Sequence, residues 1–275
     1  MIVIDDGSDD QTPEICRSLK QNGYIDTYFR NDVRGGKASA ANLGLRYSRT
    51  IYHPFGCRLF VRSDAIENIL VPFYFDLNIG AIGGNVQVRN YKESLCATLQ
   101  AIEYMDTISV GRISTSELGI YRVISGAFGA FRKEALDRLG GWDIGPGLDG
   151  DITVKIRKLG YKIHFEPSAV CQTSVPVTFK KLIKQRLRWD KSLIRFRLRK
   201  HRDVFFPNDS FRFSNFISFV ENITYNLILN VKWYFYLFDM VVNLSRNYFY
   251  SSNEASYKDS WNPQKSSKFA KALKL

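Results

Sequence analysis

Asp5 and Asp6 close the short apolar run Ile2-Val3-Ile4, and Gly7-Ser8 follow at once. Carboxylates at the carboxyl end of a buried strand face the crevice in which α/β sheets hold ligands. There Asp5 or Asp6 can accept a hydrogen bond from a base N–H or a ribose hydroxyl. The same spacing also suits a plain strand–turn–helix link with a capping Asp. Gly35-Gly36-Lys37 supplies two glycines for close backbone approach and an ammonium for phosphate, although glycine turns before helices are common. Ser125, Gly126 and Ala127 open a run of small residues that suits a ligand lying on the backbone, or equally a tight helix–strand contact. Asp149 and Asp151 precede a helical pattern. Either is a general base facing a cleft or an N-cap complementing the positive helix end.

Gln185, Arg186, Arg188 and Trp189 fall within five positions. One helical face cannot solvate both arginines and bury the ring. Forked guanidinium donors match phosphate oxygens, and a flat indole matches a sugar or base. Packing explains this stretch least of all.

The elements needed to position these groups follow from local signals. Ile2–Ile4 reads as a buried parallel strand, and residues 8–23 as a helix with Pro13 in its first turn and Gly23 at its end. Residues 25–32 give a second strand, and 33–48 a glycine turn and a helix. Residues 78–88 form another buried strand, 94–112 a long helix, and 122–141 a strand, a small-residue turn and a helix. Residues 150–167 give a helix with an exit strand. Residues 175–200 give one long basic helix or two. Strands alternating with helices predict an α/β fold. The boundaries expected are 1–176 for the main domain, 177–203 for a basic helical region, 204–250 for an aromatic-rich segment and 251–275 for a polar tail.

The chain of 275 residues has 45% hydrophobic and 14% aromatic residues, which excludes a disordered chain. Its net charge of +12 points to an anionic partner, and residues 178–202 carry eleven Lys and Arg against one Asp. Cys16, Cys57, Cys96 and Cys171 lie far apart without metal-ligand spacing, so they read as reduced, packed thiols. Glu221, Lys232 and Asp239 interrupt every window of 214–250 long enough to span a bilayer.

Taken in order, DDGS, GGK-x-x-x-x-N ending at Asn42, GAIGGNV, LQAIEY, SGAFGAFR, the D-x-D at 149–151 and QRLRW resemble the family 2 glycosyltransferases. These are inverting enzymes of the GT-A fold, and the similarity is closer to their processive polysaccharide-synthase branch. The resemblance covers Ile2 to about Lys200. It implies a Rossmann-like mixed sheet flanked by helices and followed by amphipathic interface helices. Asp5 and Asp6 would then hold the uracil and ribose of a UDP-sugar, with Lys37 near the nucleotide. Ser125, Gly126 and Ala127 would line the acceptor sugar, and Asp149 would be the catalytic carboxylate. Gln185, Arg186 and Arg188 would clamp the pyrophosphate, and Trp189 would lie under the acceptor. The implied partners are a UDP-sugar (GlcNAc or glucose), a polysaccharide acceptor and the cytoplasmic face of the cell membrane, with Mg²⁺ or Mn²⁺ at the diphosphate.

Three positions depart from the family pattern. The first strand has no counterpart, so the chain starts at what would be the second. Gly56-Cys57-Arg58 or Arg62-Ser63-Asp64 stands where the metal-binding D-x-D belongs, which leaves Asp64 as the single candidate ligand. Leu148 replaces the Glu before the catalytic Asp. Three accounts stay open: a chain keeping the fold without turnover, a deletion within 50–63, or Arg58 and Arg62 neutralising the diphosphate in place of a metal. A nucleic-acid-binding module would account for the basic run, yet no helix-turn-helix or RNP-like pattern accompanies it, and no nucleic-acid partner is expected. Leu182, Ile183, Leu187, Leu193, Ile194, Phe196 and Leu198 interleave with the Lys and Arg, as in a helix lying on acidic lipid.

Overall fold

A computed structural model describes residues 1–246 apart from 55, 57, 58, 122, 144, 146, 194, 196–198, 207–212, 225–234, 236, 237, 240 and 244. Strands β1 (Ile2–Asp5) and β2 (Thr27–Arg30) pair in parallel, with helix α1 (Thr12–Gln21) as the crossover between them. Pro13 sits in the first turn of α1, where its missing N–H has no partner to lose. Gly36, at φ +81°, takes a conformation that side chains disfavour and turns the chain into α2 (Lys37–Tyr47). Lys37 is thereby the first helical residue.

Next come β3 (Ile51–Tyr52), β4 (Leu59–Val61), α3 (Ala65–Leu70), α4 (Pro72–Phe75) and β5 (Ile79–Val88). Helix α5 (Leu95–Tyr104) runs on through a π-helical stretch, Met105–Val110, into α6 (Gly111–Glu117). Strand β6 (Gly129–Arg132), α7 (Lys133–Leu139), α8 (Leu148–Lys158) and β7 (Lys162–Thr173) complete the sheet layer. Helix α9 (Phe179–Leu193), a 3-10 turn at Arg202–Phe205 and α10 (Phe213–Ile223) follow.

Five strands lie in the order β3-β6-β5-β7-β4. β5 and β7 run parallel, and the other three pairs are antiparallel. The expected mixed α/β sheet flanked by helices is therefore present. β5 is buried at nine of its ten positions, as a strand covered on both faces must be. Ile82, Ile124, Phe128, Leu136, Ile152, Ile156 and Phe165 fill the core beside it.

Two details differ from the local reading. β1 and β2 form their own two-stranded ladder rather than joining the larger sheet. The strand expected ahead of the small-residue turn lies after it. Gly129–Arg132 finds backbone partners on both sides, in β3 and β5, whereas Val123–Ser125 is not in a strand.

Residues Met1–Val220 form one compact unit and Glu221–Leu275 a second. The second is described at residues 221–224, which include the end of α10, and at helical positions between 235 and 246, where Ser245 Oγ donates to the Val241 carbonyl at 2.8 Å. Among the described residues no helix is long and apolar enough to cross a membrane. The polar tail 251–275 and residues Cys57 and Arg58 lie outside the described residues, as do Ile194, Phe196 and Leu198. Cys16, Cys96 and Cys171 are buried free thiols, as their spacing predicted.

Candidate functional site

The acidic loop after β1 is held from within. Asp5 is 4% exposed and accepts from the Ser8 amide at 2.8 Å and the Tyr28 hydroxyl at 3.0 Å, with Arg30 Nε at 3.5 Å. Burial pushes its carboxyl up, but the hydrogen bonds from Ser8 and Tyr28 and the Arg30 charge outweigh burial and hold it below the ordinary value. Asp6 accepts from Asn31 Nδ2 at 2.9 Å and from the Gly35 and Gly36 amides at 3.1 and 2.6 Å. The acidic loop therefore fastens the glycine turn that starts α2.

From that start Lys37 reaches across the chain. Its Nζ donates to the Gly126 carbonyl at 2.8 Å and to Asp149 Oδ1 at 2.9 Å. A Cβ added at Gly126 would fall inside the van der Waals envelopes of both the Asp149 carboxylate and the Lys37 ammonium, so a side chain there would displace these two charged ends from their present meeting point. One small pocket is lined by Lys37, Ser125, Gly126 and Asp149, with Phe131 and Trp142 as apolar wall. Ala127 donates its amide to Ser125 Oγ at 3.4 Å, closing the turn. Asn42, midway along α2, both donates to and accepts from the Trp142 backbone at 2.8 Å, which pins α2 against this wall.

The two acids of the 149–151 motif do different work. Gly147, in the left-handed conformation, occupies the N-cap of α8, so neither acid caps the helix. Asp149 sits in the first turn and faces the pocket. Asp151, its side chain 9% exposed, points into a network of charges. It receives Lys200 Nζ and His201 Nε2, both at 2.8 Å, and Lys155 Nζ at 3.4 Å. Lys155 and Lys200 also meet Asp143, and Lys158 joins His201 Nδ1 at 3.0 Å to Asp203 at 2.6 Å.

The Gln-Arg-Trp stretch lies on α9. Arg186 donates to Glu103 Oε2 on α5 at 2.6 Å, and its guanidinium stands 4.7 Å over the Trp189 ring. Arg188 and Trp189 are exposed, and Gln185 Oε1 is buried with no hydrogen-bond partner among the described residues. Among the described residues no hydrogen bond or ion pair joins these four to Asp5, Asp6, Lys37 or Asp149. The structure thus assembles two clusters, one around Asp149 and one around Arg186.

Four further residues, Thr153, Glu103, Lys200 and His201, are not singled out by the sequence, although Glu103 lies within LQAIEY. Thr153 accepts from the Ile124 amide at 3.1 Å and donates to the Asp149 carbonyl at 2.6 Å, tying the small-residue turn to α8. Its spacing of four from Asp149 is the only local hint. Glu103 pairs 83 positions away, and Lys200 with His201 lies in a run that reads as surface charge.

A divalent cation does not fit at Asp64. Both of its oxygens are taken by the Arg62 guanidinium, at 2.7 Å from Nε and closer still from Nη2. Among the described residues no three His, Cys, Asp or Glu side chains cluster to hold a metal. A hard cation needs several oxygen ligands, and an arginine there repels it.

Residues 1–53 match the Glycosyl transferase family 2 profile, and residues 60–192 the Glycosyltransferase like family 2 profile. The chain is 34% identical over 226 residues to a poly-β-1,6-N-acetyl-D-glucosamine synthase of Staphylococcus aureus (strain COL), covering 81% of this chain and 53% of that protein. A synthase of the same name from Staphylococcus epidermidis is 36% identical over 197 residues, covering 69% and 46%. The chain therefore spans about half the length of the curated relatives it matches. Among solved structures, a mannosyltransferase from Pyrobaculum calidifontis in complex with GDP-Man and Mn²⁺ superposes with a TM-score of 0.58 at 24% identity. It covers 73% of this chain and 54% of that one, a likeness of fold.

Proposed function

Because the chain belongs to glycosyltransferase family 2, we propose that it moves a sugar from a UDP-sugar onto a growing polysaccharide at the cytoplasmic face of the cell membrane. The names of the relatives favour GlcNAc over glucose as that sugar. The supporting observation is the Asp149 carboxylate, set in a pocket beside the backbone of Ser125 and Gly126. Asp149 takes the proton of the acceptor hydroxyl as that oxygen bonds to the anomeric carbon from the face opposite the diphosphate. The bond from that carbon to the diphosphate oxygen breaks, its electron pair leaves with UDP, and the configuration inverts.

Asp5 and Asp6 shape the nucleotide end. Arg186 and Arg188 offset charge building on the departing diphosphate, Gln185 adds a neutral hydrogen-bond donor to it, Trp189 offers a ring to the acceptor, and Ser125 to Ala127 line it. Incubation with UDP-GlcNAc or UDP-glucose, with and without Mn²⁺, is expected to release UDP. Release under none of these conditions ends the enzymatic reading. A second reading, a chain that binds UDP without turning over, draws on the Arg62–Asp64 pair that occupies the one candidate metal ligand.

Membrane contact is part of the proposal. On α9, Phe179, Ile183 and Leu187 recur every four residues at 53%, 58% and 55% exposure, flanked by Lys180, Lys181, Lys184 and Arg188. Such a face suits an anionic lipid surface. Binding to phosphatidylglycerol vesicles is expected to weaken steeply between 0.05 and roughly 0.5 M salt, since screening shortens the reach of surface charges. No sedimentation with vesicles at low salt would remove this element.

A further inference from the structure

We propose that Lys37 is a positioning residue for the carboxylate that activates the acceptor, and not an anchor for the donor's phosphates. The inference rests on Asp149 being that carboxylate. An ammonium has three N–H donors, and two of those on Lys37 are spent, on the Gly126 carbonyl at 2.8 Å and on Asp149 Oδ1 at 2.9 Å. A phosphate anchor would need its donors directed at the ligand.

Both ends of this bridge are fixed independently. The Gly35 and Gly36 amides hold the turn before Lys37 on Asp6, and Thr153 holds the first turn of α8 through the Asp149 carbonyl. The missing side chain at Gly126 makes space for the two charged groups to meet. With Oδ1 engaged, Oδ2 receives no hydrogen bond among the described residues, and it is the oxygen left to take a proton. Lys37 and Asp149 are 49% and 38% exposed, so the pair adds little to the stability of the fold. What it fixes is the direction of the carboxylate, and a misaimed base loses rate without losing substrate affinity.

The test compares wild type with Lys37→Met and Lys37→Arg in UDP release from UDP-GlcNAc, in calorimetric titration with UDP, and in the ¹³Cγ resonance of Asp149. Lys37→Met is expected to lower kcat by roughly 10- to 100-fold, with donor KM and UDP Kd within about twofold of wild type. Lys37→Arg, which keeps a donor in reach, is expected to restore much of the rate. The Asp149 resonance is expected to move in Lys37→Met and to hold when UDP is added to wild type. A rise of about tenfold in donor KM or UDP Kd at unchanged kcat would overturn the proposal, and so would an Asp149 resonance that Lys37→Met leaves in place. A wild type without turnover removes the proposed activity alone, because the titration and the resonance still report on Lys37.

Discussion

Asp149→Asn is expected to lower UDP release from UDP-GlcNAc by roughly 10²- to 10⁴-fold, the range that loss of a general base produces, while UDP Kd stays near that of wild type. The amide has the shape of the carboxylate and can keep its oxygen towards Lys37 Nζ, now 2.9 Å from Oδ1. Gly147 caps α8, so no helix end is lost with the charge. The change removes the capacity to take a proton and little else. A variant within about threefold of wild type would place the base elsewhere, since even the low end of that range is a hundredfold. Asp151 is not the substitute, because it faces the Lys155, Lys200 and His201 network.

Asp151→Ala is expected to cost about 3–5 kcal/mol in urea unfolding, the range for removing one partner from a buried ionic cluster. Its side chain is 9% exposed, and without it Lys155 and Lys200 share only Asp143, while His201 Nε2 loses its acceptor. A loss under about 1 kcal/mol would show that the cluster is solvated in solution and worth no more than a surface pair. The dependence on pH follows from the carboxyl's own equilibrium. Burial alone raises it, but hydrogen bonds from His201 and Lys200 and the charges of Lys155 and Lys200 outweigh burial and hold it far below the usual carboxylate range. A folded value below the unfolded value of about 4 means that the contribution is fully present above pH 4 and lost as pH falls towards the folded value. The gap in unfolding free energy between wild type and Asp151→Ala is therefore expected to narrow as pH is lowered from 5 to 2.

The sequence by itself determined the local elements and the order of the motifs. Proline at the start of α1, glycine before α2 and the unbroken apolar run of β5 are signals read within a few residues. Their succession identified the family and with it the mixed sheet. Only the tertiary structure decided which of two acids two positions apart faces a pocket and which is buried in a salt-bridge network, since both suit a first helical turn equally. It also decided that Lys37 meets Asp149 across 112 positions, that Arg186 takes Glu103, and that the strand follows the small-residue turn. Periodicity and capping act over one or two turns of chain. Contacts between groups a hundred residues apart are set by how sheet and helices stack, and they leave no trace in spacing.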